Sequence, residues 1–175
     1  MSSILEAVAF ILENYSKYSS CSEENVRLFF EQAKIPSISM YDYLAYLNTY
    51  THCSEHCYVL SLIYVERLIS NFRKYIFDNI SLHKLFLIGL VVAAKYSEDK
   101  YYKNSYYAKV GGIQVSDFNN LEKKFLMLLD FDLYISNEQY EHFTDTIKST
   151  VRAIRRQNYK IMENAHINNE LASVS

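Results

Sequence analysis

Proline and glycine are unusually rare in this chain, which has one proline and three glycines among its 175 residues. Because β-hairpins and other tight turns depend on these residues, a chain with so few of them has little means of reversing direction between short strands. Serine residues, in contrast, precede apolar stripes at several places, which is typical of helix N-termini. The sequence therefore predicts an all-α fold.

The apolar spacing predicts a series of helical segments. They cover residues 3–16, a short helix between Ser22 and Pro36, Ser39 to about Thr51, Ser54 to about Phe72, a helix after Ser81, at most one turn at AKV before Gly111–Gly112, a helix from Ser116, and a long helix from Ser136 to about residue 165. Residues 58–69 and 82–95 are apolar almost all round and should lie deep in the fold. The C-terminal NNELASVS is expected to fray.

Length and charge exclude several classes of protein. One domain is expected for a chain of this size. The 18 basic and 20 acidic side chains give a net charge of −2, which disfavours a nucleic-acid partner. The longest apolar run, Leu85 to Ala94, is far shorter than the roughly 20 residues that cross a membrane. The start of the chain has no basic region and no small-residue cleavage site typical of a secretory signal.

The three cysteines, Cys21, Cys53 and Cys57, form an odd and sparse set. Such a set is more consistent with reduced thiols than with a disulfide framework, so we expect an intracellular protein of the cytoplasm or nucleus. The two histidines and two cysteines of HCSEHC, residues 52–57, invite a zinc interpretation. One helical turn does not place four ligands around a tetrahedron, so buried thiols beside exposed imidazoles are the preferred interpretation.

Two charged residues interrupt apolar helical faces. Lys95 follows Val91 and Val92 at helical spacing, and Glu122 lies between Phe118 and Phe125 on another helix. Burying either charge alone is costly, so each should find a partner or lie at the rim of the fold. The two residues could pair with each other or face water, or they could complete their hydrogen bonds with a second protein.

Residues 36–133 closely resemble the single cyclin box of the P/U-type cyclins. The blocks that carry the resemblance are PSISMYDYLAYLNTY, CSEHCYVLSLIYVERL, VVAAKYSED, YYKNSYYAKVGGI and LEKKFLMLLDFDL. The resemblance implies a five-helix cyclin box over residues 36–135, with an N-terminal helical extension over 1–35 and a C-terminal helix and tail over 136–175. AKV would be the fourth box helix.

The resemblance also implies a function. In cyclins, the residues matching Lys95 and Glu122 contact a cyclin-dependent kinase around its C-helix. The apolar residues beside that pair would be Val92, Tyr96, Leu126, Phe131 and Leu133. The chain would then be the activating regulatory subunit in a heterodimer with the kinase, and not itself an enzyme. A cyclin-fold adaptor that recruits another protein without activation is the alternative, and a nucleic-acid role is disfavoured by the charge.

The chain departs from the family at one position. Cyclins often join the first two box helices through an arginine and an acidic residue, and here Glu66 keeps the acid whereas Tyr46 fills the arginine position. A phenol donates one hydrogen bond but carries no charge, so we expect this bridge to be weakened or rebuilt. The hydrophobic substrate-docking motif of the cell-cycle cyclins is not found around Tyr41 to Leu47.

Other motifs predict neither catalysis nor cofactor binding. No nucleophile elbow or metalloprotease motif is present, and VGGI lacks the frame of a phosphate-binding loop. We therefore expect no cofactor, no metal and no small-molecule substrate. The tyrosines of residues 101–107 lack the basic groove of a single-strand binder and are expected to pack as an ordered loop. Arg152, Arg155 and Arg156 suggest a solvated helix face or a contact with an acidic partner surface.

Overall fold

The computed structural model describes residues 2–19, 38–71 and 79–173. These residues form seven helices and no strand, which confirms the predicted all-α class. The helices are α1 (Ser2–Ser19), α2 (Met40–Thr51), α3 (Glu55–Asn71), α4 (Asn79–Ser97), α5 (Asn104–Val110), α6 (Val115–Leu128) and α7 (Asn137–Ser173). The helix expected between Ser22 and Pro36, and Cys21 with it, lie outside the described residues.

The core is built on the packed pair α3 and α4. Every residue from Cys57 to Val65 and from Leu85 to Ala94 is buried, as their all-round apolar character predicted. Gly89 allows the close approach of neighbouring helices, because a Cβ there would lie 2.8 Å from the Ser61 hydroxyl and 3.2 Å from the Phe125 ring. A larger side chain at this position would therefore force the Ser61 hydroxyl or the Phe125 ring to shift where α6 packs on α4.

The remaining helices cover this pair. α1 places Leu5, Val8 and Leu12 in the core and packs against α2 and α7. α7 is long but contributes little to the core; Ile147 is its one fully buried apolar side chain among the described residues. Most of the residues 152–162 on α7 are exposed. The amphipathic stripe predicted at residues 3–16 thus docks between the first box helix and the last helix.

Serine caps set two helix starts as predicted. The Ser39 hydroxyl accepts from the Asp42 backbone N–H at 3.1 Å and donates to its carboxylate at 2.7 Å. The Ser136 hydroxyl accepts from the backbone N–H of Gln139 at 3.2 Å, and α7 begins at the next residue. These contacts satisfy backbone donors that have no partner inside the helix.

Several boundaries differ from the sequence-based expectation, including the end of α1, which lies at Ser19 rather than at residue 16. α4 begins at Asn79 rather than after Ser81, and α6 begins at Val115 with Gln114 as its N-cap, so Ser116 lies inside the first turn. α5 is a seven-residue helix rather than the single turn expected at AKV, because burial of Tyr107 and Ala108 stabilises the preceding turn as well. α7 continues past residue 165 to Ser173 as helix, where a frayed tail was expected.

The five helices α2 to α6 lie within the predicted box region, residues 36–135. α5 is the fourth of them, at the position that the resemblance implies. The division into an N-terminal extension, a box and a C-terminal helix stays a prediction, since α1 and α7 pack on the same core as the five central helices.

Candidate functional site

Lys95 and Glu122 form an ion pair. The Lys95 ammonium donates to Glu122 Oε1 at 2.6 Å, joining the last turn of α4 to the middle of α6. The two side chains are 30% and 14% exposed, so the pair lies at the rim of the bundle and is accessible from one side. The helix dipole also favours a cation at this end of α4. The structure thus places the two residues side by side, while their role in binding a kinase stays a prediction.

Asn104 completes the polar cluster. Its side-chain amide donates to Glu122 Oε2 at 2.7 Å and to the Asn119 side-chain oxygen at 2.8 Å. Both carboxylate oxygens of Glu122 therefore have a donor, which fixes the orientation of this carboxylate before any partner binds. Asn104 is the first residue of α5, the helix that carries part of the tyrosine-rich segment. Its hydrogen bond to Glu122 therefore connects this segment to the ion pair.

A groove of about 190 Å³ lies beside the ion pair. Its lining consists of Val92, Lys95, Tyr96, Glu122, Leu126 and Leu133. Six of the seven residues predicted to bind a kinase thus line one surface, which we call the Lys95–Glu122 groove. Its walls are apolar apart from the ion pair, an arrangement suited to holding a helix or loop of another protein.

Phe131, the seventh predicted residue, does not line the groove. It lies in the turn after α6, where Asp130 and Phe131 both adopt positive φ angles of 52° and 55°. The Phe131 N–H closes the end of α6 by donating to the Leu126 carbonyl at 2.9 Å, and its side chain is 64% exposed. Because L-residues rarely take this conformation, the turn holds a large apolar ring in solvent at some conformational cost.

Sequence reasoning missed the residues that hold the groove wall in place. The Arg67 guanidinium donates to the carbonyls of Asp132 at 2.6 Å and Tyr134 at 3.2 Å, and the Tyr64 hydroxyl donates to the carbonyl of Leu133 at 3.0 Å. Three consecutive carbonyls after α6 are therefore fixed by α3. The only sequence signal was a charged residue, Arg67, next to Glu66 in YVERL, and it carried no indication of its partner.

The Tyr46 hydroxyl bonds to α5 and not to Glu66 on α3, so Tyr46 does not rebuild the bridge between the first two box helices. The Tyr46 hydroxyl donates to the carbonyl of Val110 at 3.2 Å, which ties α2 to the end of α5. Tyr106 adds a second link by donating to the Tyr50 carbonyl at 2.7 Å. Glu66 accepts from the Ser70 hydroxyl at 2.8 Å within its own helix. Two tyrosines thus fix α5 on α2, and Tyr106 and Tyr107, which were expected in an ordered loop, lie in this helix.

The HCSEHC segment does not gather four ligands. Cys53 and Cys57 are buried free thiols, whereas His52 and His56 are exposed. The hydrogen bond to Cys57, together with burial, raises the pKa of the Cys53 thiol, so this group stays protonated in the core. Over residues 2–19, 38–71 and 79–173, no three or more metal-ligating side chains come together.

Glu98 caps the start of α3 from across the fold. Its carboxylate accepts from the Ser54 backbone N–H at 2.8 Å, at the positive end of the α3 dipole. Burial alone would raise the pKa of Glu98, but the hydrogen bonds that it accepts from Ser54 and Cys57 outweigh burial and lower the pKa.

Among the described helices, none has an apolar stretch long enough to span a bilayer.

Comparison with known proteins gives the class of this chain. The family model described as Cyclin matches residues 8–133, which include most of α1 and all five central helices. The chain belongs to the cyclin family. Its relatives among the U-type and P-type members make it a P/U-type cyclin.

Three relatives illustrate the similarity. Cyclin-U2-1 of Arabidopsis thaliana is 35% identical over 65% of this chain and 51% of its own length. The PHO85 cyclin-like protein psl1 of Schizosaccharomyces pombe is 35% identical over 81% of this chain and 58% of its own length. Cyclin-P3-1 of Oryza sativa subsp. japonica is 37% identical over 63% of this chain and 47% of its own length. The chain thus spans about half the length of these curated relatives.

Proposed function

We propose that this protein is the regulatory subunit of a cyclin-dependent protein kinase and that the Lys95–Glu122 groove binds the kinase around its C-helix. The observation that carries the proposal is an oriented, solvent-accessible ion pair set in an apolar groove, on a chain of the cyclin family. Apolar contacts would supply most of the affinity, and the Lys95 and Glu122 hydrogen bonds would set the register.

Activation would operate through a conformational equilibrium in the kinase. A protein kinase is active when its β3 lysine pairs with the C-helix glutamate. A partner that binds only the inward position of that helix shifts the population by its differential affinity. The bond-making step takes place in the kinase, which phosphorylates serine or threonine of a protein substrate, and this chain contributes no catalytic group.

The exposed aromatic residues are large enough for this task. Reversing a 1:99 equilibrium requires a difference of about 5.5 kcal/mol, equivalent to about 220 Å² of apolar surface buried only in the active arrangement. Tyr96 and Phe131 are 53% and 64% exposed. A fully buried aromatic side chain removes about 150–250 Å² of surface from water. Covering the exposed parts of these two rings would therefore bury an apolar area similar to the area required.

The name of one relative suggests the kinase to test first. The relative from Schizosaccharomyces pombe is described as a PHO85 cyclin-like protein. A PHO85-type cyclin-dependent kinase is therefore our proposed partner, in the cytoplasm or nucleus. The buried, reduced thiols Cys53 and Cys57 are consistent with such a reducing compartment.

Reversing the polarity of the ion pair tests the proposal. The double variant Lys95→Glu with Glu122→Lys keeps opposite charges side by side in the isolated chain but presents them to a partner in exchanged positions. Because Glu122 is only 14% exposed and also accepts from Asn104, and because Lys95 lies at the negative end of the α4 dipole, we expect the exchange to cost about 1–3 kcal/mol of stability while the chain stays folded. It should lose co-purification with the kinase and stimulation of kinase activity on a generic peptide substrate.

The exposed ion pair between Lys148 and Asp145 on α7 supplies the matched control. Exchanging those two residues makes the same kind of change away from the groove and should leave kinase co-purification intact. If the Lys95–Glu122 exchange bound the kinase like the wild type, the pair would be internal only and the proposed contact would be wrong. Co-purification without any change in kinase turnover would point to an adaptor.

A further inference from the structure

A second groove lies between the N-terminal helix and the C-terminal helix. Its volume is about 270 Å³, and it shares no lining residue with the Lys95–Glu122 groove. The apolar part of its lining comes from Ile4 on α1, Val59 on α3, and Ile147 and Val151 on α7. Three separate helices thus form an apolar groove at the surface, and none of its lining residues belongs to the proposed kinase contact.

The rim of this groove on α7 is basic. Lys148, Arg152 and Arg155 line it, and their spacing of three and four residues places them along one flank of the helix. Lys148 is paired with Asp145 at 3.2 Å. Arg152 and Arg155 are exposed and form no ion pair within the part of the chain that the structure describes. We call this site the basic groove.

The charge pattern around the groove is one-sided. Residues 146–162 of α7, between Asp145 and Glu163, contain five lysine and arginine residues and no aspartate or glutamate, although the chain as a whole has a net charge of −2. No acidic residue lines the groove. A local positive field above an apolar floor complements a segment that carries carboxylates beside apolar side chains, and it repels a basic segment.

We propose that the basic groove is a docking site for a short acidic segment of a partner protein, with apolar side chains placed on Ile4, Val59, Ile147 and Val151. Carboxylates of that segment would pair with the two unpaired guanidinium groups, which favour bidentate contact with carboxylates. Docking takes place on this chain alone and does not require a kinase, so it would recruit a further protein to whatever complex the Lys95–Glu122 groove forms.

Selection from a display library of short random peptides on the isolated full chain tests the proposal. We expect the selected peptides to be enriched in aspartate and glutamate together with leucine, isoleucine or phenylalanine. One selected peptide, labelled with a fluorophore, is then measured by anisotropy. Its affinity should fall as sodium chloride rises from about 50 mM to about 500 mM, since screening weakens contacts between exposed charges. Replacing its apolar residues with alanine should also abolish binding.

Charge reversal on α7 locates the site. Arg152→Glu with Arg155→Glu should weaken peptide binding at least tenfold, because two attractive contacts become repulsive. Arg156→Glu with Lys160→Glu is the matched control, since it makes the same charge change on exposed residues of the same helix that do not line the groove. Circular dichroism and thermal unfolding of both variants show that the fold is kept.

Three results would overturn the proposal. The first is a selection without acidic enrichment, and the second is equal loss of binding in the reversal variant and its matched control. The third is a concentration-dependent dimer in sedimentation that only Arg152→Glu with Arg155→Glu dissociates, which would identify a second copy of this chain as the occupant. Kinase co-purification is measured separately, so failure here leaves the proposed function untouched.

Discussion

Replacing Arg67 with methionine should loosen the wall of the Lys95–Glu122 groove. Methionine keeps the apolar stem of the side chain but removes every donor. The lost contacts are the hydrogen bonds to the Asp132 and Tyr134 carbonyls, a bond to the Gln139 side chain at 3.3 Å, and an ion pair with Asp132 at 3.5 Å. The variant thereby separates the positioning of residues 131–134 from any direct contact with a partner.

The magnitude follows from the exposure of each partner. A hydrogen bond from a charged donor contributes about 1.5–3 kcal/mol, and the short bond at 2.6 Å to the Asp132 carbonyl belongs in that range. The two longer bonds add less, and the ion pair adds about 0–1 kcal/mol because the Asp132 side chain is 65% exposed. We expect the free energy of unfolding to fall by about 2–3 kcal/mol. Arg67→Lys should recover roughly half of that loss, since lysine reaches fewer carbonyls.

Urea unfolding followed by circular dichroism measures this loss. With a slope of about 2 kcal/mol per molar urea, the midpoint should fall by about 1–1.5 M. Amide hydrogen exchange should accelerate over residues 131–136, because this segment can then open without breaking the Arg67 contacts. Arg156→Met is the matched control, since Arg156 is exposed, and it should change stability by no more than about 0.5 kcal/mol.

A destabilisation of Arg67→Met no larger than that of the control would refute the reasoning. It would mean that the Tyr64 hydroxyl and the turn after α6 hold the segment without the guanidinium. Kinase co-purification adds a further readout. The variant should bind more weakly than its loss of global stability explains, because only the Tyr64 hydroxyl would then hold the segment that places Leu133 in the groove wall.

Three further predictions concern the core and the start of α3. Gly89→Ala should lower the free energy of unfolding in urea by about 1–3 kcal/mol, because its Cβ would lie 2.8 Å from the Ser61 hydroxyl. Adding Ser61→Ala should recover part of that loss. If the effects of the two substitutions were strictly additive, the close approach would be contradicted. Glu98→Gln should destabilise the protein at neutral pH but not in acid. The folded-state pKa of Glu98 lies below its ordinary value of 4.5, so its stabilisation is complete above that value and is lost as the pH falls through the folded-state pKa; a stability difference that grows in acid would contradict this. Cys53 and Cys57 should resist alkylation by iodoacetamide in the folded protein and react fully in urea, as measured by mass spectrometry, because both thiols are buried; rapid labelling of either thiol in the native state would disprove it.

The sequence by itself determined the helical class, the burial of α3 and α4 and the caps at Ser39 and Ser136. These features depend on scarce turn residues, on apolar periodicity and on hydrogen bonds that span three residues, so they are local. The boundaries of α5 and α7 were not predictable in this way. α5 gains its first turn from burial of Tyr107 and Ala108, which only the surrounding helices provide.

The site shows the same division. Lys95 and Glu122 are 27 positions apart, and their spacing alone did not distinguish mutual pairing from exposure to water; the family resemblance singled them out. Asn104 and Arg67 were missed because their partners lie 18 and 65 positions away. The sequence shows which hydrogen-bond donors a polar side chain carries, but not which acceptors lie near it in the folded protein. Only the packing of α3, α4, α5 and α6 decided which carboxylate and which carbonyls those donors would reach.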